Sequence, residues 1–306
     1  MRIAVMAAGA VGGYFGGRMA AAGHDVSFIA RGANLEALRK NGLKVESTLG
    51  NLHLKNIKAT SDPKEVGPVD IGLFAVKLWD TEAAAEAARP LVGPQTRVIT
   101  LQNGVDSVER IAPILGAEQV AGGIAYIASV IAAPGVISHT SPFAKMLCGR
   151  IDGRADAQLS AFTAAAKQAG IDIVLSDSID RERWQKFVFL VALSGATGAT
   201  RMPLGPILAD PDTRAFFKRL MQETVAVARA KGVALPPDFV EDRMTFADAA
   251  PPGMKASLLH DLERGNRLEI DWLAGKVAAL GRELGVAAPV NEAVYAVLKL
   301  HRMGKS

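Results

Sequence analysis

A lysine inside an apolar helix is the residue of this 306-residue chain that most needs a chemical reason. Lys186 lies in Trp184-Gln-Lys-Phe-Val-Phe-Leu-Val-Ala-Leu193, where an ammonium is costly to bury unless it is paired or used. Partial desolvation by Phe187, Phe189 and Leu190 favours the neutral amine and so makes the ammonium a better proton donor. The bland alternative is a side chain that snorkels to water. Glu269, in Leu268-Glu-Ile-Asp271, is expected among apolar residues of another helix, with a salt bridge or cap as its ordinary role. Lys77 closes the apolar run Ile71-Gly-Leu-Phe-Ala-Val76, and Asn103 holds the same place after the next strand, in Leu101-Gln-Asn-Gly104. Both fall at carboxyl ends of sheet strands, where ligands of open α/β sheets collect, although turn chemistry alone also places polar residues there.

The segment Ala7-Ala8-Gly9-Ala10-Val11-Gly12 follows an apolar run and opens a helical pattern. In that context a glycine-rich turn lets backbone amides approach a pyrophosphate at a helix N-terminus. Ala7 replaces the first fingerprint glycine, so the turn has to tolerate a β-carbon, while Gly9 and Gly12 keep the close-approach and packing roles. Arg31 follows Phe28-Ile29-Ala30, at the end of the second expected strand. An acidic residue there accepts from the ribose of NAD, whereas a guanidinium grips the extra phosphate of NADP. Arg31 therefore points to NADP(H), and against NAD or a flavin dinucleotide.

These groups need a frame. Through about residue 175 short β-rich runs alternate with helical patterns, the signature of βαβ units. Strands are expected at 3–6, 26–30, 71–76, 98–101, 119–125, 136–139, 144–148 and 171–175, and helices at 11–22, 34–41, 81–88, 107–114 and 155–169. After Ser176-Asp177-Ser178 only helical periodicity continues, over 181–199, 212–231, 237–249, 258–284 (with Gly265 a possible break) and 291–303. The expected fold is α/β: a Rossmann domain with a doubly wound parallel sheet at 1–177, a short hinge near 177, and an all-helical domain at 178–306.

Composition narrows the classes further. Thirty-five basic residues against 31 acidic ones leave a formal charge of +4, too balanced for a nucleic-acid field. Cys148 is the single cysteine, which rules out an internal disulfide or a two-cysteine metal knuckle and fits a reducing compartment and an inert buried thiol. Without a secretory signal or a long apolar span, a cytoplasmic location is expected, with a small molecule as partner, no nucleic acid, no membrane and no metal. A homodimer stays open.

Together the glycine turn, Arg31, Val76-Lys77, Gln102-Asn-Gly104, Trp184-Gln-Lys-Phe187, Ser257 with Asp261, Glu269-Ile-Asp271 and Ala288-Pro-Val-Asn291 resemble the ketopantoate reductase (2-dehydropantoate 2-reductase) family, in order and spacing, over the whole chain. The resemblance implies an NADPH-binding Rossmann domain and a helical domain of the 6-phosphogluconate dehydrogenase C-terminal type, with substrate in the cleft between them. It implies reduction of 2-dehydropantoate to D-pantoate, with Lys186 as general acid. Lys77, Asn103, Ala128 and Glu269 are implied at the cofactor with Ala7 to Gly12 and Arg31, and Asn103, Lys186 and Ser257 at the substrate. Hydride addition to a 2-oxo acid leaves an alkoxide that an ammonium can stabilise and protonate, in agreement with that role. Leu190 and Ser194 depart from the family, which carries asparagines four and eight residues after the lysine, and Leu268 replaces its threonine. Leu190 and Ser194 share the helix face of Lys186, so at least one polar contact to a hydroxylated substrate is missing. A less polar 2-oxo acid is therefore the alternative substrate, and a non-catalytic NADP-binding protein the alternative class.

Overall fold

The computed structural model describes residues 1–305. Its contacts divide the chain into two compact units, Met1–Ile179 and the remainder from Asp180 onward. In the first unit the strands are β1 (Arg2–Met6), β2 (Asp25–Ile29), β3 (Leu43–Ser47), β4 (Leu52–Leu54), β5 (Lys58–Thr60), β6 (Ile71–Phe74), β7 (Arg97–Thr100), β8 (Val120–Tyr126), β9 (Ser129–Ala133), β10 (Val136–His139), β11 (Lys145–Gly149) and β12 (Asp172–Leu175). Its helices are α1 (Ala10–Ala21), α2 (Gly32–Asn41), α3 (Thr81–Ala88), α4 (Ser107–Leu115) and α5 (Ala157–Gln168).

Eight strands form one sheet in the order β12-β11-β8-β7-β6-β1-β2-β5, parallel throughout except where β8 meets β11. Both faces are covered, so strands read as continuous apolar runs rather than alternating ones. In β1, Ile3 and Val5 pack into a core with Phe15 and Phe28, while Ala4 and Met6 pack into another with Phe74, Ala85 and Ile111. Chain order runs outward from β1 to β5 and then restarts at β6, so β1 and β6 flank the topological switch point. At such a point the loops leaving two neighbouring strands diverge and leave room for a ligand.

Two glycine pairs in α1 explain how the helix sits so close to its neighbours. A Cβ on Gly12 would stand 2.5 Å from the Ala7 carbonyl and 2.8 Å from Val5 Cγ1, and one on Gly16 would stand 2.5 Å from Val5 Cγ2. Gly13 and Gly17, one position further round, instead face Ile137 and Leu43 of a second sheet, ordered β4-β3-β10-β9. The sequence signals only β10 of that sheet. Its β4 is three residues long and its β9 is exposed along most of its length, so neither shows a burial period.

In the second unit no strand follows Leu175 among the described residues. The helices are α6 (Ile179–Thr200), α7 (Leu204–Ala209), α8 (Pro211–Ala230), α9 (Phe239–Ala249), α10 (Ser257–Arg264), α11 (Ala274–Leu284) and α12 (Pro289–Leu298). From Trp184 onward the α6 helix is apolar almost all round because other helices pack against it. Gly195 admits Val294 and Leu220, and Gly198 admits Leu258 and Leu298. Glu223 of α8 accepts from the backbone amides of Val290 and Asn291 and from Asn291 Nδ2, capping α12. The Pro-Val-Asn string singled out in the sequence is thus a helix anchor.

The helical stretch of 258–284 is broken at Gly265, where its sequence allowed a break, and one expectation is corrected: Glu269 is not helical. The helix stops at Arg264, Gly265 takes the left-handed conformation at φ 71°, and Ile270–Trp272 forms a 3₁₀ turn before α11. The apolar period continues through the break because Leu268 and Ile270 are buried in the loop. Among the described residues no helix is long and apolar enough to cross a membrane. Cys148 is a core residue of β11, and burial pushes its thiol up to about 11.

Candidate active site

The carboxyl ends of four neighbouring strands set out the first unit's candidate residues. Backbone bonds keep those ends level: the Ala8 amide donates to the Ile29 carbonyl, Ala75 to Met6 and Leu101 to Phe74, each at 2.8 Å. Ala7 to Gly12 leave β1, Arg31 leaves β2, Lys77 leaves β6 and Asn103 leaves β7.

Ala7 turns the chain with φ at 25°, a conformation that favours glycine and costs an alanine about 1 kcal/mol. The turn is held from outside. Asn34, in the first turn of α2, donates Nδ2 to the Ala8 carbonyl at 2.9 Å and accepts from the Gly135 amide at 2.8 Å. Sequence reasoning missed Asn34, whose only signal is a polar side chain three residues after Arg31. Gly9 caps α1, and a Cβ there would meet nothing within 4 Å. The first-turn amides of α1 have no partners inside the helix, side chains leave room at Gly9, and these residues fit a dinucleotide pyrophosphate.

Arg31 is the N-cap of α2, at the same end of the sheet as the glycine turn, and is exposed. Lys77 is exposed, with its ammonium 5.5 Å from the centre of the Trp79 ring. Asn103 is half-buried in the turn after β7. Ala128 lies in the link between β8 and β9; its amide donates to Ser141 Oγ at 3.0 Å, and its carbonyl accepts from the Thr140 amide at 2.9 Å.

In the second unit Lys186 is partly buried on α6. Trp184 and Phe187 are enclosed beside it in an edge-to-face pair at 5.5 Å, and Phe189 packs edge-on against Phe246 at 5.0 Å. Burial lowers the Lys186 ammonium and the Glu269 carboxylate opposes it, leaving a value of about 8. Glu269 is itself buried in the loop before the 3₁₀ turn, so the break at Gly265 delivers this carboxylate toward α6. Leu190 is half-buried one turn along from Lys186. Ser194 is enclosed, and its Oγ has no hydrogen-bond partner among the described residues. Ser257 is exposed as the first residue of α10.

The fold and the open helix end define the first unit as a dinucleotide-binding domain of an oxidoreductase. The sequence profile "Ketopantoate reductase PanE/ApbA" matches residues 3–153, and its C-terminal counterpart matches residues 178–302. The chain is 32% identical to the uncharacterized oxidoreductase YkpB of Bacillus subtilis, covering 100% of both chains. It is 31% identical to a 2-dehydropantoate 2-reductase of Mesorhizobium japonicum, over 98% of this chain and 97% of that one. A crystal structure of 2-dehydropantoate 2-reductase from Geobacter metallireducens superposes with a TM-score of 0.91 at 33% identity, covering 98% and 99% of the two chains. The chain belongs to the ketopantoate reductase family. It is an NADP-dependent oxidoreductase acting on a CH–OH group.

Proposed function

We propose that the enzyme reduces 2-dehydropantoate to D-pantoate with NADPH, and that Lys186 donates the proton. The observation that carries this reading is an ammonium of lowered affinity for its proton, beside a buried carboxylate, in a chain of this family. NADPH supplies the hydride. Ala7 to Gly12 and Arg31 hold its phosphates, with Lys77, Asn103, Ala128 and Glu269 also assigned to the cofactor. As the carbonyl oxygen gains charge, the Lys186 ammonium stabilises it and passes on a proton, and Glu269 keeps the amine protonated long enough to act. Asn103 and Ser257 contact the substrate in this reading, and Leu190 and Ser194 line it. A cytoplasmic location belongs to the same proposal, supported by a chain whose single cysteine, Cys148, is a buried core residue.

A less polar 2-oxo acid is the second reading, and Leu190 favours it. An apolar side chain there leaves a substrate hydroxyl unpaired, at about 1–3 kcal/mol in an enclosed site. Against an alkyl substituent the same leucine contributes about 0.8 kcal/mol for each methylene it covers. Leu190→Asn, assayed with ketopantoate and with an unhydroxylated analogue of similar size, separates the two. The ratio of their kcat/KM values is expected to move about tenfold toward ketopantoate, one regained hydrogen bond. An unchanged ratio removes Leu190 from the substrate and leaves altered specificity resting on Ser194.

A further inference from the structure

Lys77 and Asn103 leave adjacent strands, and a buried amide ties the two exits together. The register of β6 and β7 ends with Phe74 opposite Thr100, and the Leu101 amide makes the last backbone rung, to the Phe74 carbonyl. Beyond it, the Gln102 side chain supplies the next link. Its Nε2 donates to the Val76 carbonyl at 3.1 Å and to Thr81 Oγ1 at 2.8 Å, while its Oε1 accepts from Thr100 Oγ1 at 3.1 Å. Thr81 Oγ1 in turn donates to the Leu78 carbonyl at 2.8 Å, and Arg110 Nη2 donates to the same oxygen at 2.8 Å. The carbonyls on both sides of Lys77 are therefore fixed by side chains, and the residue before Asn103 does part of the fixing.

Gln102, Thr100 and Thr81 are all buried. Two N–H donors and a carbonyl acceptor at glutamine's reach match the three partners; glutamate lacks the donors and leucine lacks all of them. Threonine or serine caps would suffice to end the strands. A three-way buried amide instead fixes the exit directions of both loops at the carboxyl edge of the sheet, next to the switch point, where ligand contacts need to be accurate.

We propose that Gln102 is a positioning residue for NADPH, acting through Lys77 and Asn103 by holding the backbone from which they project. This rests on the assignment of Lys77 and Asn103 to the cofactor. The test is a double-mutant cycle on NADPH affinity, read by fluorescence titration, with thermal melting recorded for each variant. Gln102→Leu and Lys77→Ala are each expected to weaken NADPH about tenfold, and the double variant to lose less than about threefold beyond Lys77→Ala alone. The fall in melting temperature caused by Gln102→Leu is expected to be the same in both backgrounds, because folding does not use the ammonium. Thr100→Val removes only the bond that orients the amide and is expected to weaken NADPH about threefold, which carries the cycle if Gln102→Leu fails to fold. Additive losses overturn the proposal, as does wild-type affinity in both Gln102→Leu and Thr100→Val. Wild-type affinity in Lys77→Ala overturns the assignment of Lys77 instead, and the route through it with that assignment.

Discussion

Lys186→Ala is expected to lower kcat by two to four orders of magnitude while NADPH binds almost as in the wild type. That range is the usual worth of a positioned general acid, about 2.7–5.5 kcal/mol in the barrier. The lysine stands on α6 in the second unit, whereas the glycine turn and Arg31 belong to the first, which is why binding and chemistry separate. The acid has to be protonated to act, and in the free protein its value is about 8. The kcat/KM profile is therefore flat on the acid side of that value and falls about tenfold per pH unit above it. Glu269 holds the value up, so Glu269→Gln moves the falling limb to lower pH. Wild-type turnover by Lys186→Ala, or a limb that Glu269→Gln leaves in place, would assign the proton to another group.

Arg31→Ala is expected to weaken NADPH about 10- to 150-fold, the worth of one charge-assisted contact of about 1.5–3 kcal/mol. NADH affinity is expected to stay within about twofold, since NADH lacks the phosphate that the guanidinium grips. The side chain is exposed, so the loss shrinks as salt screens the contact. Titration of both cofactors against wild type and variant checks this. Equal losses for NADPH and NADH would mean that Arg31 serves the α2 terminus rather than the cofactor.

What could be read in the sequence was whatever sits at the junction between a strong period and a broken one. Ala7 to Gly12, Arg31, Lys77 and Asn103 each follow a buried strand of the main sheet, so the end of an apolar run locates them. Lys186 was visible because a charge interrupts the stretch from Trp184 to Leu193, apolar almost all round, and the structure accounts for that pattern by packing on Gly195 and Gly198. Glu269 was found but misplaced, since Leu268 and Ile270 extend the helical spacing of buried residues through a loop. Of the second sheet only β10 was found: β4 is three residues long and β9 is exposed along most of its length, while β3, five residues that alternate buried and exposed, was missed. The α7 helix escaped because six residues with an internal Pro206 show no period. Side-chain bracing is the least legible level. Nothing local marks Asn34 as the clasp on the Ala8 carbonyl, Gln102 as the link between two strand exits, or Ser194 as an enclosed hydroxyl without a partner among the described residues.

NADPH oxidation followed across a panel of 2-oxo acids of graded size and polarity, with ketopantoate among them, puts the whole reading to one measurement. The expected result is oxidation of NADPH with ketopantoate, D-pantoate as product, and a much slower rate when NADH replaces NADPH. Faster turnover of an alkyl-substituted 2-oxo acid would keep the chemistry at Lys186 and transfer the substrate to the reading that Leu190 favours. No oxidation of NADPH with any member of the panel would contradict the assignment of Lys186 as the proton donor of a 2-oxo acid reductase.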